Sequence, residues 1–242
     1  MPTILIILAI VTSSLLGVAQ LTLFSVKFND LFLALGSTMA RLASAYCLSV
    51  VIALPLAFII YFSPTAERFL LPLYDIVESV PTLAFFPAIV IFFVKYNFVN
   101  GAAIFIIFLS MLWNIVFTVV GGLTGIPNDV KAAAHVFRVK GLSEIRYLLL
   151  PAIVPQLVTG SILAWAQGWN IIIVAEVLHT YLPAGIVGGD LFGIGSMLVN
   201  ASSSGQGNIF FAAIVAMIVT IAFLNFFVWQ KLLQYAEHYK FD

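Results

Sequence analysis

Glu176 stands at the end of a long uncharged stretch, ILAWAQGWNIIIVAEVL, and at helical spacing it shares a face with Trp165, Trp169 and Ile172. An ionisable group in so apolar a setting is costly, so its default reading is functional: a lining of a translocation pathway, with Trp165 and Trp169 beside it. A competing reading is a carboxylate that snorkels or pairs between helices, because Glu176 lies about 30 Å of helix rise beyond Pro155, near an interface. Deep tryptophans likewise pack more often than they bind. Asn114 and Asn170 place amides in apolar runs, where they suit either hydrogen bonds between helices or pathway lining.

Catalytic chemistry finds no support in the residue pattern. A phosphate-cradling loop needs a glycine-rich run ending in Gly-Lys-Ser/Thr, and the chain has no Gly-Lys. His135, His179 and His238 are far apart in sequence, and Cys47 is the lone cysteine, so neither a metal site nor an internal disulfide is expected. No cofactor is expected on this chain. The formal net charge of +0 gives no basis for nucleic acid as a partner.

The most polar segment, 124–151, contains IPNDVKAAAHVFRVKGLSEIRYLLLP. Asn128 or Asp129 can cap a short helix through Val139, Gly141 ends it, and Ser143 with Glu144 can begin a second one leading to Pro151. This segment is either a solvated connector or a protein-docking element, and its length exceeds what a connector needs. Asp75 and Glu78, three apart, are candidate partners for Arg68 or for basic residues of this segment, or simply a solvated helix end.

The elements that must carry these residues are membrane helices. Hydrophobic residues make up 63% of the 242-residue chain and charged ones 8%, which places lipid as its solvent. Mean hydropathy is +1.15. Apolar stretches long enough to cross a bilayer predict about six spans, at 2–24, 42–62, 69–94, 102–123, 155–178 and 209–230. An interfacial helix from Leu31 can precede the second, and the third is irregular because Asp75, Glu78, Pro81 and Pro87 interrupt it. The opening stretch reads as a retained helix, since a signal peptide would carry a basic n-region, which is lacking.

Arg68, Lys131, Arg138, Lys140, Arg146, Lys231 and Lys240 fall on one side of this arrangement, and only Lys27 and Lys95 on the other. The positive-inside rule then puts both termini in the cytoplasm. Between the last two spans, Leu191, Phe192, Ile194, Met197 and Leu198 would give one apolar face to a short interfacial helix on the outer side.

The chain resembles the inner-membrane permeases of binding-protein-dependent ABC importers, in particular the nitrate, sulfonate, taurine and bicarbonate group. The family signature is a Glu-Ala-Ala followed by Gly and then Leu-Pro. Here Leu150-Pro151 match the last part and Ala133-Ala134 the alanines, while Ala132 occupies the Glu position and Arg138 the Gly position, with Gly141 nearby. ESVPTLAFFPAIVIFF (78–93), GWNIIIVAEVL (168–178) and FGIGSML (192–198) resemble further family segments in order and spacing. The resemblance implies an all-α type I importer permease fold. It divides the chain into an N-terminal helix and outer loop (1–32), a permease domain (33–231) with its coupling segment at 124–151, and a cytoplasmic tail (232–242).

It further implies a prokaryotic plasma (inner) membrane, a second permease subunit, an ABC ATPase subunit that binds ATP, and an extracytoplasmic solute-binding protein. Ala132, Ala133, Ala134, Arg138, Gly141, Leu150 and Pro151 would contact the ATPase. The substrate class it suggests is a small oxyanion or organic anion. Two other classes fit a polytopic chain: an ion-coupled secondary transporter, which would usually show buried relays and internal repeats, and a membrane scaffold, which would not need the long basic insert.

Overall fold

The structure, a computed structural model, describes residues 28–179 and 190–239. The first expected span, Lys27 and Lys240 lie outside the described residues. Regular structure among the described residues is entirely helical. Four helices are long and apolar enough to cross a membrane, or five if a bent pair counts as one span.

Helix α1 runs unbroken over Phe28–Phe62. The division expected between an interfacial helix and a span at Leu42 does not occur: Gly36 remains helical and Pro55 is absorbed within the helix. At about 52 Å, α1 is longer than the hydrocarbon core is thick, so one straight element serves both roles. Its buried stripe, Ala45, Ser49, Ala53 and Ala57, is small at every fourth position. Small side chains let backbones approach, and Ser49 Oγ reaches the Phe108 carbonyl of the facing helix at 3.3 Å.

Helix α2, Pro64–Ser79, begins with Ser63 accepting from the Ala66 N–H and Pro64 in the first turn. The third expected span is not one continuous helix. Pro81 disfavours helical geometry at the residue before it, and Val80 is extended, with φ −78° and ψ 125°. A 3-10 turn, Thr82–Phe85, then leads into α3, Phe86–Lys95. The two limbs meet at 81°.

Helix α4, Val99–Thr124, is the most buried span and packs on both α1 and α6. Helix α5, Asn128–Val136, is short and has no buried residue. Helix α6 covers Leu142–Glu176 and contains a π-helical turn at Ile145–Leu149, just before Pro151. Pro151 cannot donate to the helix ladder, and the wider turn accommodates the break. A Cβ on Gly160 of α6 would lie 2.0 Å from Thr118 Oγ1 and 3.2 Å from the Asn114 carbonyl, so α4 and α6 touch there almost backbone to backbone. Helix α7, Ile194–Ser203, is the short helix expected from the apolar spacing. Helix α8, Gly207–Glu237, closes the described fold and buries little of its surface within this chain.

Candidate functional site

Glu176, the last residue of α6, is 0% exposed, and its carboxylate is fully engaged. Oε1 accepts from Arg41 Nη1 at 2.7 Å and from Thr38 Oγ1 at 2.7 Å, while Oε2 accepts from the Gly195 N–H at 2.7 Å. Arg41 is equally occupied. Its Nη2 donates to the Phe192 carbonyl at 3.0 Å and its Nε to Asn100 Oδ1 at 2.9 Å. A buried ion pair is tolerated when its remaining donors and lone pairs are satisfied, and here the charges are neutralised and their hydrogen bonds made.

Four elements meet at this cluster. Thr38 and Arg41 come from one turn of α1, Asn100 from the start of α4, Glu176 from the end of α6, and Gly193 to Gly195 from the entry to α7. Thr38 Oγ1 also accepts the Ile194 N–H at 2.9 Å, so two free amides of α7's first turn point at α1 and α6. The glycines are needed for room. A Cβ at Gly193 would sit 2.3 Å from the Glu176 carboxylate, and one at Gly195 would sit 2.8 Å from Ile173 Cα. The chain is tied on either side of the pin by Leu191 N–H donating to the Glu176 carbonyl at 2.9 Å and by a His179–Asp190 contact at 2.8 Å.

The residues named from sequence separate into three groups. Trp165 and Trp169 face inward with Ile172 and Glu176, so their shared face belongs to the core; Trp165 packs its ring against Tyr46 and Trp229. Asn114 is half-buried, its amide donating to the Ser110 carbonyl at 3.2 Å. Asn170 lies on the opposite side of α6 and is exposed. Asp75 and Glu78 form no ion pair with a described basic residue. Arg41, Thr38 and Asn100 were not picked out from sequence. The available signal was an arginine well inside a continuous apolar helix, which needs a buried acid.

At the other end of the fold, the 124–151 segment folds as a helix, a turn and the start of α6. Ala132, Ala133, Arg138, Gly141 and Leu150 are exposed, and Ala134 and Pro151 half-buried. Arg138 has φ +56° and Gly141 φ +62°. The first value places an arginine in the left-handed conformation that glycine adopts freely, at the position where the family signature has its glycine. The turn leaves large apolar groups uncovered by the chain: Val136 is 79% exposed, Phe137 80% and Leu142 85%.

A family model described as "Binding-protein-dependent transport system inner membrane component" matches residues 45–233. The chain belongs to this family. Among curated relatives, the nitrate import permease protein NrtB of Leptolyngbya laminosa is 29% identical over 187 residues, covering 77% of this chain and 62% of the relative. The bicarbonate transport system permease protein CmpB of Synechococcus elongatus is 27% identical over 63% of this chain and 52% of its own length. The putative aliphatic sulfonates transport permease protein SsuC of Bacillus subtilis is 26% identical over 88% of this chain and 73% of that protein. The chain thus spans about half to three fifths of the length of the first two relatives.

The fold is shared with a chain of the MetNI methionine ABC transporter in an inward-facing structure. The TM-score is 0.73, the identity 16%, and the match covers 86% of this chain and 96% of that one. Within the family match fall the pin residues Asn100, Glu176 and Gly195 and the whole exposed segment, whereas Thr38 and Arg41 precede it.

Proposed function

We propose that this chain is the membrane-spanning permease subunit of an ATP-binding-cassette importer for a small oxyanion or organic anion. The observation that carries the reading is the exposed segment 124–151 in a chain of the binding-protein-dependent family. An exposed helix with no buried residue, followed by exposed Val136, Phe137 and Leu142, is an unsatisfied apolar surface of the kind that marks a protein contact. The partner is an ATPase subunit, on which ATP binds and is hydrolysed. A second permease subunit and an extracytoplasmic solute-binding protein complete the assembly. The anion class is supported by relatives named for nitrate, bicarbonate and aliphatic sulfonates.

Co-expression with a candidate ABC ATPase subunit from the same organism tests the assignment directly. The permease should bring that ATPase down in detergent, and uptake in proteoliposomes should require ATP. Uptake by the permease alone, driven by an ion gradient, would place it instead among secondary carriers.

The same reading puts the docking segment in the cytoplasm of a prokaryote, with both termini on that side. Cysteines at exposed Ser143 and Ser203, in a Cys47→Ser background, should then react from opposite faces of the membrane. Reaction of both from outside would rule this topology out.

A further inference from the structure

The outward faces of the spanning helices differ in chemistry. Helix α1 turns Leu48, Val51 and Ile59 outward, and α8 turns Ile218, Val219 and Phe223 outward, as lipid contact requires, its exposed Asn225 lying about 27 Å of helix rise beyond Gly207 and so near an interface. Helix α6 instead exposes Thr159, Leu163, Ala166, Gln167 and Asn170. Gln167 and Asn170 are one turn apart, and neither side-chain amide hydrogen-bonds another described residue. Unpartnered amides facing hydrocarbon are unfavourable, so this side of α6 does not face lipid.

The same face continues about three turns towards the cytoplasm to Gln156. There Gln156 and Thr159 join Thr118 and Gly121 of α4 and Glu237 of α8 around a cavity of about 380 Å³. Gln156 Oε1 has no hydrogen-bond partner. The threonine hydroxyls are already committed as donors, Thr118 to the Asn114 carbonyl at 2.7 Å and Thr159 to the Pro155 carbonyl at 3.0 Å. The free donors on this wall are therefore amide N–H groups. No Lys, Arg, Asp or Glu occurs in α4 or between Leu150 and Ala175 of α6.

We propose that Gln167 and Asn170 form the solute-contacting wall of the pathway, an uncharged amide pair that passes a small oxyanion by hydrogen bonding alone, whereas the Glu237 carboxylate sets the Gln156 cavity apart from it. This rests on the importer reading above. Neutral donors can replace part of an anion's hydration without holding it as a fixed cation would, which is what conduction needs: binding favourable enough to enter and weak enough to leave. The Glu176 pin is closed to this role because its oxygens are already occupied.

The test uses the permease–ATPase complex in proteoliposomes, in the Cys47→Ser background. Gln167→Cys and Asn170→Cys should react with the anionic reagent 2-sulfonatoethyl methanethiosulfonate at least about tenfold faster than Val51→Cys and Val219→Cys, because only the former would meet water. Excess nitrate should slow the reaction at Gln167→Cys and Asn170→Cys. Leu163→Cys, on the same face, gives a third reading if either amide variant assembles poorly. Rates equal to the two lipid-facing controls would overturn the wall assignment. Faster reaction with the cationic 2-aminoethyl analogue, unaffected by nitrate, would overturn the oxyanion part. The same labelling repeated on the permease reconstituted without the ATPase should give the same order of rates, so failure of the wall is distinct from failure of the importer assignment.

Discussion

Glu176→Ala should destabilise the permease by about 3–5 kcal/mol, because it leaves the Arg41 guanidinium buried without its counter-charge. The Gly195 N–H loses its acceptor in the same step, and Thr38 loses one hydrogen bond. Glu176→Gln should be little better: its amide nitrogen would have to face a donor on either side, Arg41 and Thr38 at one oxygen position and Gly195 at the other. The decisive variant is the double replacement of Arg41 and Glu176 by methionine. It removes both charges together and should unfold at a higher temperature than either single variant, as buried ion pairs replaced by apolar groups often do. Thermal unfolding of the detergent-solubilised protein reads all three. Single variants as stable as the parent, with no coupling in the cycle, would show that the pair holds nothing together.

The second large effect is expected at the docking segment. Ala133 is exposed on α5, one turn before Val136 and Phe137. A tryptophan there should hold the helix off any groove that receives it, while the spans still insert. Loss of about 2 kcal/mol, or roughly 30-fold in ATPase affinity, is the scale of an interface hot spot. Lys140→Gln, exposed but outside the helix, should change affinity little. Pull-down with the purified ATPase, alongside ATPase activity in proteoliposomes, checks both. Normal association and normally coupled hydrolysis in Ala133→Trp would return the segment to the role of connector.

The helices were more legible than their partners. Three of the expected spans, 42–62, 102–123 and 209–230, fall within observed helices and a fourth, 155–178, overruns its helix only past Glu176, because apolar length alone is enough to specify a membrane helix. Where the expected boundary failed at Leu42, the cause is that a helix does not stop merely on entering the bilayer; without a breaker, α1 simply continues. The break in the third span was legible as Pro81, but its 81° angle depends on how the two limbs pack. Glu176 drew attention as a lone charge in an apolar run. Its partner did not, since Arg41 is separated from it by 135 residues and local periodicity carries no information at that range. The inward direction of the Trp165–Trp169 face was also hidden: a shared face can be read from spacing, but spacing does not say whether it meets the core or a cavity.

The absence of charged side chains along α4 and along α6 from Leu150 to Ala175 also bears on membrane voltage. With the cytoplasm negative, an anion moving inward works against the field by about 2.3 kcal/mol per charge for each 100 mV. The amide wall has no gating charge that could move the other way and offset this work. For the oxyanion proposed here, uptake should therefore slow as the membrane is hyperpolarised, with the nucleotide cycle below supplying the driving force that the potential opposes.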